Sequence, residues 1–64
     1  MNNLYLVHTK NIVTKYRNSF TVTASSEEEA EQKVDAVLSD NYKVTGSKVL
    51  IPNHQDNLGP MLYQ

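Results

Sequence analysis

Neither cysteine nor tryptophan occurs in these 64 residues, and glycine and proline appear only twice each. Without thiols there is no disulfide and no thiolate metal site, which points away from a stapled secreted mini-protein and toward a reducing compartment. The two glycines, Gly46 and Gly59, form neither a phosphate-cradling loop nor a nucleophile elbow. No apolar run approaches the roughly 20 residues of a membrane-crossing helix. The opening Met1-Asn2-Asn3 lacks the basic start and apolar stretch of a secretory signal. These absences lead us to expect a single cytoplasmic domain that does not associate with membranes.

Interior volume is also scarce. A chain this short buries only roughly 60% of the surface its unfolded form exposes, so a deep reaction cleft is hard to build. The two histidines, His8 and His54, have no helical spacing that would bring them together on a metal. Thr9 follows His8, but neighbouring strand residues point to opposite faces and cannot serve as nucleophile and base. Carboxylates on a solvated helix keep ordinary acidity and do no proton-transfer work. No catalysis, cofactor or metal is therefore expected.

What the chain does have is charge sorted by segment, although the net charge is only −1. Residues 1–24 hold Lys10, Lys15 and Arg17 and no acid. Residues 25–41 hold Glu27, Glu28, Glu29, Glu31, Asp35 and Asp40 against Lys33 alone. Residues 42–64 hold Lys43 and Lys48 against Asp56.

The apolar pattern places elements on this charge map. Leu4 to Lys10 reads as a strand with apolar residues on both parities, as in a strand covered on both faces. Ile12 to Tyr16 is again strand-like, and Arg17-Asn18-Ser19 is a polar break suited to a hairpin, with Asn18 fit for a left-handed position. Phe20, Val22 and Ala24 then alternate with Ser19, Thr21 and Thr23, which is a half-buried strand. Ser26 with Glu29 forms a capping box, and Ser25 with Glu28 offers the same pair one residue earlier. Behind it, Ala30, Val34, Val37 and Leu38 mark one helix face, ending at Asp40-Asn41. Tyr42 to Ile51 returns to strand chemistry until Pro52, with Gly46 marking a bulge or the turn of a second hairpin.

The fold class expected is α+β. A three- to four-stranded antiparallel sheet carries one amphipathic helix on one face, in the order strand-strand-helix-strand. The domain spans residues 1–52, and 53–64 form a polar tail that could fold back on the sheet. Leu4, Tyr5, Leu6 and Val7 cannot all face one helix across a pleated strand. Something must cover the second face: the tail residues Leu58, Met61, Leu62 and Tyr63, a second copy of the chain, or a partner.

Two surfaces can carry function. On the helix, Glu27, Glu31 and Asp35 climb one flank at spacings of four, beside Glu28, and like charges at that spacing cost about 0.2–0.5 kcal/mol per pair. A solvated, solubilising face explains them plainly; a docking surface for a basic partner is the functional alternative. On the sheet, Lys10, Lys15, Arg17, Lys43 and Lys48 lie among Tyr5, Tyr16 and Tyr42. Cations and rings on an open sheet can hold single-stranded nucleic acid, although lysines also guard exposed strands against edge-to-edge pairing.

Phe20-x-Val22-x-Ala24 running into Ser26-x-Glu28-Glu29-Ala30, followed by Val34, Val37, Val44 and Val49, resembles the small RNA polymerase inhibitors of T7-like phages. The resemblance covers residues 16–51. It implies a phage or bacterial protein that packs one helix on a three-stranded antiparallel sheet and wedges into a host enzyme. It also implies that Arg17, Lys43 and Lys48, the nearest counterparts of those inhibitors' cationic strand residues, engage the partner. The expectation is a non-enzymatic module that binds and modulates a larger cytosolic host protein or complex, inhibition being the favoured mode, through Glu27, Glu28, Glu31, Asp35, Arg17, Lys43 and Lys48. The alternatives are a nucleic-acid-binding domain using the basic sheet, and a homodimer or structural subunit joined through the surplus apolar sheet face.

Overall fold

The computed structural model describes residues 2–63. The elements are β1 (Asn3–Asn11), β2 (Arg17–Ala24), α1 (Glu27–Asp35), β3 (Tyr42–Ile51) and β4 (Met61–Tyr63). The strands form one antiparallel sheet in the order β3-β1-β2-β4. The fold is the expected α+β arrangement with four strands and one helix. Its thinnest dimension, 15 Å, is that of a single helix layer on a single sheet.

Register explains which side chains meet the helix. Tyr5 pairs with Val22, Val7 with Phe20 and Asn3 with Ala24, so these residues share one face. Of these, Tyr5, Val7, Val22 and Ala24 form the core with Ala30 and Val34 of α1, flanked by half-buried Phe20, Leu38 and Val44. Val7, Val22 and Val34 are fully buried; each contributes about 1.5–3 kcal/mol by leaving water. The helix starts where the capping box places it, at Ser26, whose hydroxyl accepts the Glu29 amide at 3.1 Å. The returning carboxylate of Glu29 reaches one residue further back, to the amide (3.3 Å) and hydroxyl (2.9 Å) of Ser25. Those two donors, together with the Lys33 ammonium, hold the Glu29 carboxyl below the usual carboxylate range.

The helix is shorter than its apolar periodicity suggests. It ends at Asp35, and the following amides of Val37 and Leu38 bond three residues back, to Val34 and Asp35. This tighter winding rotates the chain, so Leu38 stays against the core while Val37 turns out to 60% exposure.

The first hairpin also differs from the sequence pattern. β2 begins at Arg17, so Arg17, Asn18 and Ser19 are strand residues, and the turn is made by the apolar-rich stretch 12–16. Asn11 builds it. Its side-chain oxygen accepts the amides of Val13 and Thr14, both at 2.9 Å, and its carbonyl accepts the Lys15 amide at 2.8 Å. Lys15, with φ 68°, takes the left-handed position that had suited Asn18.

β3 is one long strand. Gly46 stands opposite His8 and Val44 opposite Thr9, so Thr45 is the extra residue of a bulge, and a second irregularity falls at Leu50. After Ile51 the chain does not trail away. It crosses from the β3 edge to the β2 edge, where Met61–Tyr63 pairs with Ser19–Thr21. The crossing is anchored on Thr23, which pairs with Leu4 on the face away from the helix. Its hydroxyl accepts the Leu58 amide at 2.8 Å and lies within bonding distance of the Leu58 carbonyl and Asn57 Oδ1. Thr23 is completely buried in consequence, and Leu4 and Leu6 beside it are also buried. Part of the missing cover is thus the chain's own crossover.

Candidate functional site

The cover reaches only one end of the second sheet face. Moving along β1 from Leu4, the register gives three cross-strand rows on this face. Lys48, Leu6, Thr21 and Met61 form the first; Gly46, His8, Ser19 and Tyr63 the second; Lys43, Lys10 and Arg17 the third. The four strands contain no acidic residue, and all four of their cations, Lys10, Arg17, Lys43 and Lys48, register onto this one face.

The third row is electrostatically unfavourable for folding. Lys10 has Arg17 opposite it on one side and Lys43 on the other, and like charges directly opposite destabilise a sheet. Among the described residues the only salt bridge joins Glu29 and Lys33 on the helix, at 3.3 Å. None of the three cations of the row forms a salt bridge among the described residues. Lys43, on the outermost strand, also borders the groove beneath α1, so it belongs to the rim rather than the floor.

Between the second and third rows the sheet is concave. A hollow of about 630 Å³ is lined by His8, Lys10, Arg17, Ser19, Gly46 and Tyr63, among others. His8 is exposed, with Nδ1 3.0 Å from the Ser19 hydroxyl. A Cβ added at Gly46 would meet nothing within 4 Å, so the floor beside His8 is open for lack of a side chain. The Ser19 hydroxyl and His8 imidazole are within hydrogen-bond reach of each other, but no carboxylate is among the residues lining the hollow to orient the ring, and no cluster of three potential metal ligands occurs among the described residues. No helix is long and apolar enough to cross a membrane.

The hairpin tip joins Lys10 and Arg17, which line this hollow. Ile12, Val13 and Tyr16 are 47%, 67% and 73% exposed, with Lys10, Lys15 and Arg17 alongside them in the chain. The base of the tip is tied to the α1–β3 connection by the Ile12 amide, which donates to the Asn41 carbonyl at 2.7 Å. Asp40 adjoins it there.

The expected partner-binding residues are thus divided between two faces. Glu28, Glu31 and Asp35 line a smaller groove of about 360 Å³ between α1 and β3, with Glu27 exposed at the helix start. Glu31 is half-buried, and it accepts a 2.6 Å hydrogen bond from the Ser47 hydroxyl. That bond ties helix to sheet, which accounts for one member of the acidic stripe structurally. Arg17 and Lys48 lie on the far side of the sheet. The tyrosines expected among the cations are elsewhere: Tyr5 is in the core and Tyr42 registers onto the helix face through Asn11, leaving Tyr16 at the tip. The rings that do stand with the cations are His8 and Tyr63. Alternation along β1 could have placed His8 beside Lys10, but Tyr63 depended on a three-residue strand with no periodicity of its own.

In comparisons with protein-family models, curated proteins and solved structures, nothing matched this chain.

Proposed function

We propose that this domain is a non-enzymatic interaction module that docks a larger protein through the β1–β2 hairpin and modulates it by occupancy. The observation carrying this reading is the exposure of Ile12, Val13 and Tyr16 on a turn that is rigidly built. Turns ordinarily use small polar residues, and a break of local rules without gain for the fold is expected at functional positions. Large apolar and tyrosine side chains on a preorganised loop, next to arginine, are the composition of binding hot spots. Lys10, Lys15 and Arg17 would then steer the encounter toward a partner whose apolar pocket has an acidic rim. The resemblance to phage polymerase inhibitors, with Arg17 engaging the target, agrees with this use of the cationic hairpin, and a bacterial cytosol as its setting belongs to the same proposal.

The test is capture from a bacterial lysate, with nuclease added, using the whole chain as bait. Val13→Asp with Tyr16→Ala should abolish retention of a specific protein. Charge reversal of Glu27, Glu28 and Asp35 should leave it in place. Retention that survives the tip substitutions, or is lost only on reversal of the acids, would move the docking surface to the helix.

A further inference from the structure

We propose that the hollow on the open sheet face binds a short stretch of single-stranded nucleic acid, with His8 and Tyr63 stacking bases and Lys10, Arg17 and Lys48 contacting phosphates. The site shares Lys10 and Arg17 with the cationic hairpin, but it uses none of the exposed tip residues Ile12, Val13 and Tyr16, and its own residues lie on strands. The ring row runs between two cationic rows: Lys10 and Arg17 on one side, Lys48 on the other. His8 and Tyr63 both pair with Ser19 in register, from opposite sides of β2. Two interstrand spacings therefore separate them, roughly 9–10 Å, which suits two successive bases rather than one base between two rings. Gly46 leaves the platform next to His8 unobstructed. The Ser19 hydroxyl supplies a hydrogen-bonding group at the floor.

Charge complementarity selects this occupant. Lys10 lies between Lys43 and Arg17 in register, and none of the three forms a salt bridge among the described residues, a repulsion that a bound polyanion relieves. An acidic peptide would satisfy the cations but would leave the rings unused. A duplex would present its phosphates and keep its base faces stacked inside. An unpaired strand offers phosphates and base faces together, and unlike a single nucleotide it can reach both rings and the cationic rows on either side of them. The volume of about 630 Å³ lies in the range of small-ligand sites, roughly 300–1,000 Å³, so the hollow takes one or two nucleotides of a longer strand.

Fluorescence anisotropy of labelled oligothymidylate and oligouridylate with the full chain tests this at low salt. Tyr63→Ala and His8→Ala should each weaken binding about tenfold or more, the effect of removing one stacking platform, and Tyr63→Phe should restore it. Lys10→Gln and Arg17→Gln should each flatten the dependence of log affinity on log salt by about 0.7, one phosphate contact of a single strand. Gly46→Leu adds a side chain in open space, so it should leave the unfolding curve unharmed while blocking the strand. Val13→Asp should leave oligonucleotide binding unchanged, which separates this site from the docking tip. No binding at low salt would overturn the proposal. So would Tyr63→Ala binding as well as the parent, or displacement by polyglutamate as effective as by unlabelled oligonucleotide.

Discussion

The two ends of the sheet face opposite the helix are made by the same strands and have opposite fates. At the Leu4–Thr23 end, apolar side chains are buried and the Thr23 hydroxyl is saturated by the crossing chain. At the Lys10–Arg17 end, cations face one another and aromatic rings meet solvent. The first end contributes to stability; the second detracts from it. In a domain whose single small core yields only about 3–5 kcal/mol, surface retained at the expense of folding is the part to suspect of function.

Substitutions can break or sharpen this contrast. The largest effect should come from Leu4→Ala, which removes buried surface at the closed end. A loss of about 2–5 kcal/mol would leave little of the folded state, visible in urea unfolding as a midpoint near zero. Thr23→Val should follow, at about 1–3 kcal/mol, because the Leu58 amide and the crossover lose their anchor. Amide exchange should accelerate across residues 56–63, while the hairpin keeps its protection. At the open end the sign reverses. Lys15→Gly relieves a left-handed residue, a conformation costing roughly 1–2 kcal/mol for side chains other than glycine. The variant should be about 1 kcal/mol or less more stable, because glycine's added freedom when unfolded takes back part of the gain. It should also dock its partner less well through a looser tip.

The smallest effect concerns the helix start. The Ser25 and Lys33 contacts lower the Glu29 pKa in the folded state. Their contribution is therefore present above the unfolded value and is lost as pH falls through the folded one. Glu29→Gln should flatten the acid limb of the stability–pH curve by lowering the neutral plateau slightly, while stability at the acid end stays nearly that of the parent.

Much of this fold was legible in the sequence because local and global preferences agree along most of it. Phe20, Val22 and Ala24 alternate as a strand must, and Ser26 with Glu29 marks a helix start in the bonds it makes. Disagreements fall where tertiary geometry overrides local pattern. Ile12 and Val13 are β-branched and read as strand, yet Asn11 folds them into a turn. Val37 continues the helical period, but the winding tightens at Val37 itself, two residues after the helix ends. Thr23 occupies a polar position in the alternation and is nonetheless buried, since residues more than thirty positions away lie across it.

The site was less legible than the fold. Charge segregation by segment was plain, whereas the gathering of all four strand cations onto one face required the registers of three strands and the bulge at Thr45. A one-residue slip without that bulge would have sent Lys43 to the other face. The acids of α1, read as a stripe, turn out to be partly committed, Glu31 to Ser47 and Glu29 to Ser25 and Lys33.

The central claim is that the cations of the open end oppose the fold. The most direct test is urea unfolding of Lys10→Gln with Arg17→Gln against the parent chain across ionic strength. The double variant should be the more stable at low salt, by a few tenths to about 1 kcal/mol, and the difference should vanish once salt screens exposed charges. A double variant less stable than the parent at low salt would make these cations part of the structural framework and contradict the account.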